Sequence, residues 1–140
     1  EMYEVPIGKA AVVREGSAFS IFAMGRMVHE ALAAAKTLEG LGVDCEVVDV
    51  RSIQPFDSET AVASIKKTHR ALIVHEAVRF GGFGGEIVAQ LQEQAFDYLD
   101  APIARVGAPF SPVPYSPALE QLYIPNAERI VAEVKKVLGI

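Results

Sequence analysis

Ala71-Leu-Ile-Val-His-Glu-Ala-Val-Arg-Phe-Gly-Gly-Phe-Gly-Gly-Glu-Ile87 is the stretch that decides the fold. Its first four residues are a continuous apolar run, the pattern of a strand covered on both faces as in a parallel sheet. A glycine cluster follows at 81, 82, 84 and 85. From about Gly85 to Leu99 the residues Ile87, Val88, Leu91, Ala95 and Tyr98 recur with helical spacing until Pro102 stops the helix. Strand, glycine turn and helix N-terminus together form a place where α/β proteins receive ligands or partners.

The same alternation continues on both sides. Val28, Leu32, Ala35 and Leu38 predict a helix from about Arg26 to Leu41, with Gly40 and Gly42 to end it. Val43 to Val50 reads as a strand. Asp57 or Ser58 can cap a helix over Glu59 to Thr68, whose last turn carries Lys66 and Lys67 with His69 just beyond, where a helix dipole favours cations. Ile103 to Val106 returns to the sheet. Gly107 to Pro117 holds four of the eight prolines and is expected to be irregular. Asn126 can cap a last helix with Ile130, Val131, Val134, Val137 and Leu138 on its buried side and Gly139 as its stop.

Ala10 to Arg14 and Phe19 to Met24 are strand-like runs joined by Glu15-Gly-Ser-Ala18. That link is too short for a parallel crossover, so the expectation is an antiparallel hairpin and one edge strand running against the rest. The fold class is therefore α/β: three layers, a five-stranded mostly parallel sheet with one antiparallel edge strand, and helices on both faces.

With 140 residues and no repeat or flexible linker, the chain is expected to form a single domain over residues 1–140, residues 1–9 being the remnant of an interdomain linker. Glu1 followed by Met2 reads as a boundary within a longer polypeptide. A net charge of -5 lacks the basic footprint that nucleic acid requires, and the longest apolar runs fall far short of the roughly 20 residues that span a bilayer. Neither nucleic acid nor membrane is an expected partner, and the expected location is the cytoplasm or an organelle matrix. Cys45 is the single cysteine, which excludes an internal disulfide and reads as a packed thiol.

Candidate chemistry is sparse. The glycines do not fit G-x-G-x-x-G, because the third would fall on Ile87, and no G-x-x-x-x-G-K occurs. His75 and Glu76 stand at the C-terminal end of a strand with Arg79 just beyond, so they could form an acid/base or anion-binding group. The competing reading makes His75 a hydrogen-bonded core residue and pairs Glu76 with Arg79. His29 and His69 read as solvated. No serine sits in G-x-S-x-G and no histidine pair has metal-ligand spacing.

Ile7-Gly-Lys-Ala10, Val12-Val-Arg-Glu-Gly16, Val47-Val-Asp-Val-Arg-Ser-Ile-Gln-Pro-Phe-Asp57, Val74-His-Glu-Ala77, the glycine turn and Tyr123-Ile-Pro-Asn126 together resemble one family. It is the C-terminal domain of the beta subunit of thiamine-diphosphate-dependent 2-oxo acid dehydrogenases, of pyruvate, branched-chain or acetoin type. The resemblance covers nearly the whole chain.

It implies a transketolase C-terminal domain fold, and a parent oxidoreductase that decarboxylates a 2-oxo acid on thiamine diphosphate with Mg2+ and passes the acyl group to the lipoyl arm of an acyltransferase. In that family the cofactor lies between the alpha subunit and the beta subunit's N-terminal domain. The implied expectation is that this domain holds no catalytic, cofactor or metal residue and is inactive alone; no Gly-Asp-Gly stretch is present to begin a diphosphate site. The implied roles are beta subunit self-association, contact with the alpha subunit, and docking of the acyltransferase's subunit-binding domain. By position Asp100 resembles the family's acidic docking residue, and the carboxylate of Ile140 is a second implied contact, although Gly139-Ile140 departs from the family's aromatic ending. A different class of function, a stand-alone α/β module binding a small anion or nucleotide with His75, Glu76, Arg79 and Gly81, Gly82, Gly84 and Gly85 lining the crevice, remains beside it.

Overall fold

The computed structural model describes residues 4–140; the first residues of the expected linker, with Glu1 and Met2, lie outside them. The elements are β1 (Ala11–Arg14), β2 (Phe19–Ala23), α1 (Met27–Glu39), β3 (Cys45–Asp49), α2 (Ser58–Thr68), β4 (Ala71–Val78), α3 (Gly84–Ala95), a 3-10 turn (Phe96–Tyr98), β5 (Ala104–Ala108), α4 (Pro117–Tyr123) and α5 (Ala127–Leu138). The sheet order is β1-β3-β2-β4-β5, with only β1 antiparallel to its neighbour.

Side-chain alternation along the inner strands divides the core in two. Phe19, Ile21 and Ala23 of β2, with Val47, Leu72 and Val74, meet Met27, Ala31, Ala35 and Leu38 of α1 and Ile130 and Val134 of α5. Phe22, Val48 and Ile73 point the other way, onto Ala61 and Ile65 of α2 and Ile87, Leu91 and Ala95 of α3. Ser20 faces that second layer, where its hydroxyl lies 2.6 Å from both Ser64 Oγ and Thr68 Oγ1, so the one polar group of β2 has partners. Cys45 is fully buried, and burial pushes its thiol up to about 12, as a packed rather than reactive cysteine requires.

The capping residues are those the sequence singles out. Asp57 accepts from Thr60 N at 3.2 Å to start α2 and also receives Ala10 N at 3.0 Å, which ties the approach to β1 onto that helix. Asn126 accepts from Arg129 N at 3.0 Å, and Gly139 ends α5 at φ 72°.

Three expectations need correction. β1 and β2 are not a hairpin: β3 lies between them, pairing antiparallel with β1 and parallel with β2. The link over residues 15–18 instead crosses the start of β3, where Ser17 N and Ala18 N donate to Asp44 O at 3.2 and 2.8 Å. β2 is buried along its whole length, as an interior strand covered by helices on both faces is, and it pairs in parallel with β3 on one side and β4 on the other. The second correction is α4, a seven-residue helix begun by Pro117 directly after the proline-rich segment. Finally, α3 ends at Ala95 rather than Leu99, tightening into the 3-10 turn.

Candidate functional site

β4 carries the residues at issue. Its pairing with β5 is regular through Val74↔Val106 and resumes at Val78↔Ala108, so the strand bulges over residues 75–77. The bulge turns His75 inward. The ring is 1% exposed, its Nδ1 stands 2.9 Å from Ala77 O, and it lies against Phe83 with centroids 4.6 Å apart. Donation from Nδ1–H to that carbonyl leaves Nε2 as the acceptor nitrogen, buried and without a partner.

Three glycines, Gly82 and Gly84 in the turn and Gly107 on β5, pack close to this imidazole. A Cβ at Gly84 would stand 2.5 Å from Nε2, one at Gly82 2.9 Å from Cε1, and one at Gly107 3.0 Å from Cε1. The ring is the nearest obstacle at Gly84, whereas at Gly82 and Gly107 the carbonyls of Val78 and Ala77 stand closer still, at 2.2 and 2.9 Å. Gly81 has the one positive φ in the turn, 70°, and Gly85 lies under the Arg105 guanidinium. The space beside Gly82 and Gly84 is therefore filled by the protein's own side chain.

Glu76 points to solvent and makes no ion pair with Arg79 among the described residues, contrary to the pairing considered above. Arg79 donates from Nε to Arg105 O, and Arg105 donates from Nη1 to Arg79 O, both at 3.2 Å. The three residues do not converge on one point. Arg105 and Arg129, which do share a hollow with Arg79, are absent from the sequence reading because they lie 26 and 50 positions away with no local pattern linking them.

Burial pushes the His75 pKa below its ordinary 6.5, Arg105 adds to the effect, and the Ala77 carbonyl opposes it. The unfolded chain takes up a proton from about pH 6.5 downward and the folded chain resists it. This contribution to stability is thus present above pH 6.5 and is lost as the pH falls through that range. Thermal melting between pH 7.5 and 5 is expected to show the loss, with a shallower slope for His75→Asn. An NMR titration of the His75 Cε1 proton with a midpoint at or above 6.5 would overturn it.

The docking candidates lie elsewhere. Asp100 follows the 3-10 turn; its N–H donates to His69 O at 2.9 Å and its side chain, 55% exposed, stands 3.5 Å from Arg70 Nη2. Ile140 is exposed past the end of α5, beside an open hollow of about 570 Å³ that Thr37, Val131 and Lys135 help to line. Arg129 in the first turn of α5 donates to Gly107 O near the end of β5, so α5 runs back along that strand. Asp100, which precedes β5, and Ile140, which follows α5, therefore share the end of the sheet where the parallel strands begin.

The opposite end is apolar. Phe80 follows β4 and Phe110 follows β5; the rings meet edge to face at 5.0 Å and are 72% and 75% exposed. Tyr115, Leu119 and Leu122 on the next loop and α4 are exposed as well, and Tyr123 holds this segment down through its hydroxyl, which donates to Ser111 O at 3.0 Å. The sequence signal for this surface was three aromatic residues, Phe80, Phe110 and Tyr115, in segments otherwise read as turns.

Comparison with known proteins adds the following. A family model described as "Transketolase, C-terminal domain" matches residues 8–130. The beta subunit of acetoin:2,6-dichlorophenolindophenol oxidoreductase of Bacillus subtilis is 41% identical over 99% of this chain and 41% of its own length. The beta subunit of the pyruvate dehydrogenase E1 component of the same organism is 43% identical over 99% of this chain and 42% of its own length. The 2-oxoisovalerate dehydrogenase subunit beta of Pseudomonas aeruginosa is 45% identical over 99% and 38%. The chain thus spans about two fifths of the length of these relatives. Among solved structures, a split gene transketolase described as an inactive beta4 tetramer superposes with a TM-score of 0.84 and 32% identity, over 98% of this chain and 43% of that one.

Proposed function

The chain belongs to the transketolase C-terminal domain family, and on that premise we propose that it is the C-terminal assembly domain of the beta subunit of a 2-oxo acid dehydrogenase. The names of its relatives, oxidoreductase beta subunits acting on pyruvate, 2-oxoisovalerate and acetoin, support the parent activity. The parent would oxidatively decarboxylate a 2-oxo acid and acylate a lipoyl group, with thiamine diphosphate and Mg2+ held by polypeptide outside these 140 residues. In this reading residues 1–140 form one domain that takes no chemical step, and its first nine residues are a linker.

One observation carries the reading. Open α/β sheets receive ligands beyond the C-terminal ends of their strands. Here that end presents Phe80, Phe110, Tyr115, Leu119 and Leu122 to water. Large exposed apolar side chains gathered at one end of the sheet, two of them in ring contact, favour a protein interface over a reaction centre. Beta subunit self-association is the occupant proposed, in keeping with the tetrameric description of the similar transketolase; the alpha subunit and the acyltransferase's subunit-binding domain, the latter at Asp100 and Ile140, complete the set. The small-anion alternative at Gly81–Gly85 is disfavoured because His75 fills the space beside Gly82 and Gly84.

Phe110→Asp is expected to weaken self-association by about 2 kcal/mol, roughly thirtyfold, the effect of removing an anchor residue. Its side chain is largely in water, so the circular dichroism spectrum should not change. Sedimentation velocity across a concentration series provides the measurement, and identical weight-average coefficients for wild type and variant would refute the assembly role. Asp100→Lys should separately weaken capture of the basic docking domain, with wild-type binding itself falling as salt rises.

A further inference from the structure

The arginines divide into two groups. Arg14, Arg26, Arg51 and Arg70 each stand within 4.0 Å of a carboxylate. Arg79, Arg105 and Arg129 have no carboxylate partner among the described residues, and all three border a single hollow of about 440 Å³ beside β5. Lys136 also borders it, and the sole carboxylate of the lining is Glu133, 3.4 Å from Lys136. Arg79, Arg129 and Lys136 thus bring three formal positive charges to a hollow with one negative charge, on a chain whose net charge is -5.

The backbone explains why they gather. β5 is an edge strand, and Ala108 O is turned toward β4, where it accepts from Arg79 N at 2.9 Å. Alternation along a strand turns the carbonyls of Arg105 and Gly107 to the free edge. Arg79 Nε donates to the first at 3.2 Å and Arg129 Nη2 to the second at 3.2 Å. Arg129 is also anchored through Nη1 to Tyr123 O at 3.4 Å, while Arg105 holds the Arg79 carbonyl from the strand's other face. Each guanidinium uses part of its fork on the backbone and is thereby held in place, and those of Arg79 and Arg129 keep further N–H donors for a ligand.

We propose that this edge hollow binds a phosphate group, free or carried by a small molecule. A planar carboxylate is satisfied by one guanidinium fork. Cations placed on β4's exit, on the first turn of α5 and on its last turn instead surround the hollow, which suits a tetrahedral anion with oxygens in several directions. The volume falls within the roughly 300 to 1,000 Å³ usual for small-molecule sites and exceeds what bare phosphate fills. Arg79, Arg129 and Lys136 are the binding groups, and Arg105 is the positioning residue that holds Arg79. The proposal is independent of the assembly role.

The test is a titration of the 15N-labelled chain with inorganic phosphate at fixed ionic strength, followed by amide NMR, with phenyl phosphate as a second ligand. Saturable shifts centred on Gly107 and Arg79 are expected, tighter for phenyl phosphate if a phosphate ester is the natural occupant. Arg79→Gln and, at an exposed position, Lys136→Glu should each weaken binding by about ten- to a hundredfold, the effect of losing one hydrogen bond to a charged group. Shifts spread over the surface, or an affinity indifferent to both substitutions, would overturn the proposal. So would binding of an acidic peptide at Gly107 without binding of either phosphate, which would assign the hollow to a protein carboxylate.

Discussion

Gly16→Ala is expected to lower the free energy of unfolding by about 3 kcal/mol, the upper end of what overpacking costs, and the melting temperature by about 10 °C. The added Cβ would stand 2.2 Å from both Cys45 C and Glu46 N. Both are backbone atoms at the start of β3, so no side-chain rotation relieves the contact. Either the link between β1 and β2 must lift, breaking the bonds from Ser17 and Ala18 to Asp44 O, or β3 must shift within the sheet. Urea denaturation measures the difference, with Gly40→Ala as the control, since a methyl there meets nothing closer than Thr37 O at 3.3 Å. Equal midpoints for the two variants would show that the crossing is not a close contact.

The second large effect is expected at Lys67. Its ammonium contacts Glu46, whose side chain is 1% exposed, and reaches Glu15 Oε2 at 2.8 Å. Lys67→Met would leave the Glu46 carboxylate buried without its cation. Stranding a fully buried charge costs about 3 to 5 kcal/mol. The Lys67 side chain is 42% exposed, so water already shares the pair and the expected loss is nearer 2 kcal/mol. Adding Glu46→Gln removes the stranded charge and should recover most of that loss; a double variant as unstable as the single one would contradict the account. The hydrogen bonds to Glu15 and Glu46 raise the Lys67 pKa above 10.5. Its stabilising contribution is accordingly complete below pH 10.5 and disappears only as the pH climbs through the folded value.

Much of this architecture could be read from local patterns. Ile130 and Val134 with caps at Asn126 and Gly139 define α5, and the apolar run from Ala71 identifies an interior strand, because helical stripes, caps and doubly covered strands are properties of neighbouring residues. The position of β1 could not be read that way. Its partner, β3, begins more than 30 residues later, and the clue was the five consecutive buried positions of β2 together with a glycine where the chain crosses β3. The family motifs brought Asp100, Ile140 and the glycine turn into view, yet the turn's chemistry depends on whether His75 points in or out. That direction follows from a bulge opposite Gly107, 32 positions away. The arginine-lined hollow is equally non-local: β4 and β5 must be side by side and α5 must run back along them before Arg79, Arg105 and Arg129 meet.

The insertion of β3 between β1 and β2 also imposes a schedule on biosynthesis. Within this domain β1 is synthesised ahead of the other described strands but has nothing to pair with until Asp49 has followed it out and β3 has settled beside β2. β1 must therefore wait for a strand that begins more than 30 residues later, and Val12 and Val13, still exposed in the finished sheet, stay in solvent throughout that interval.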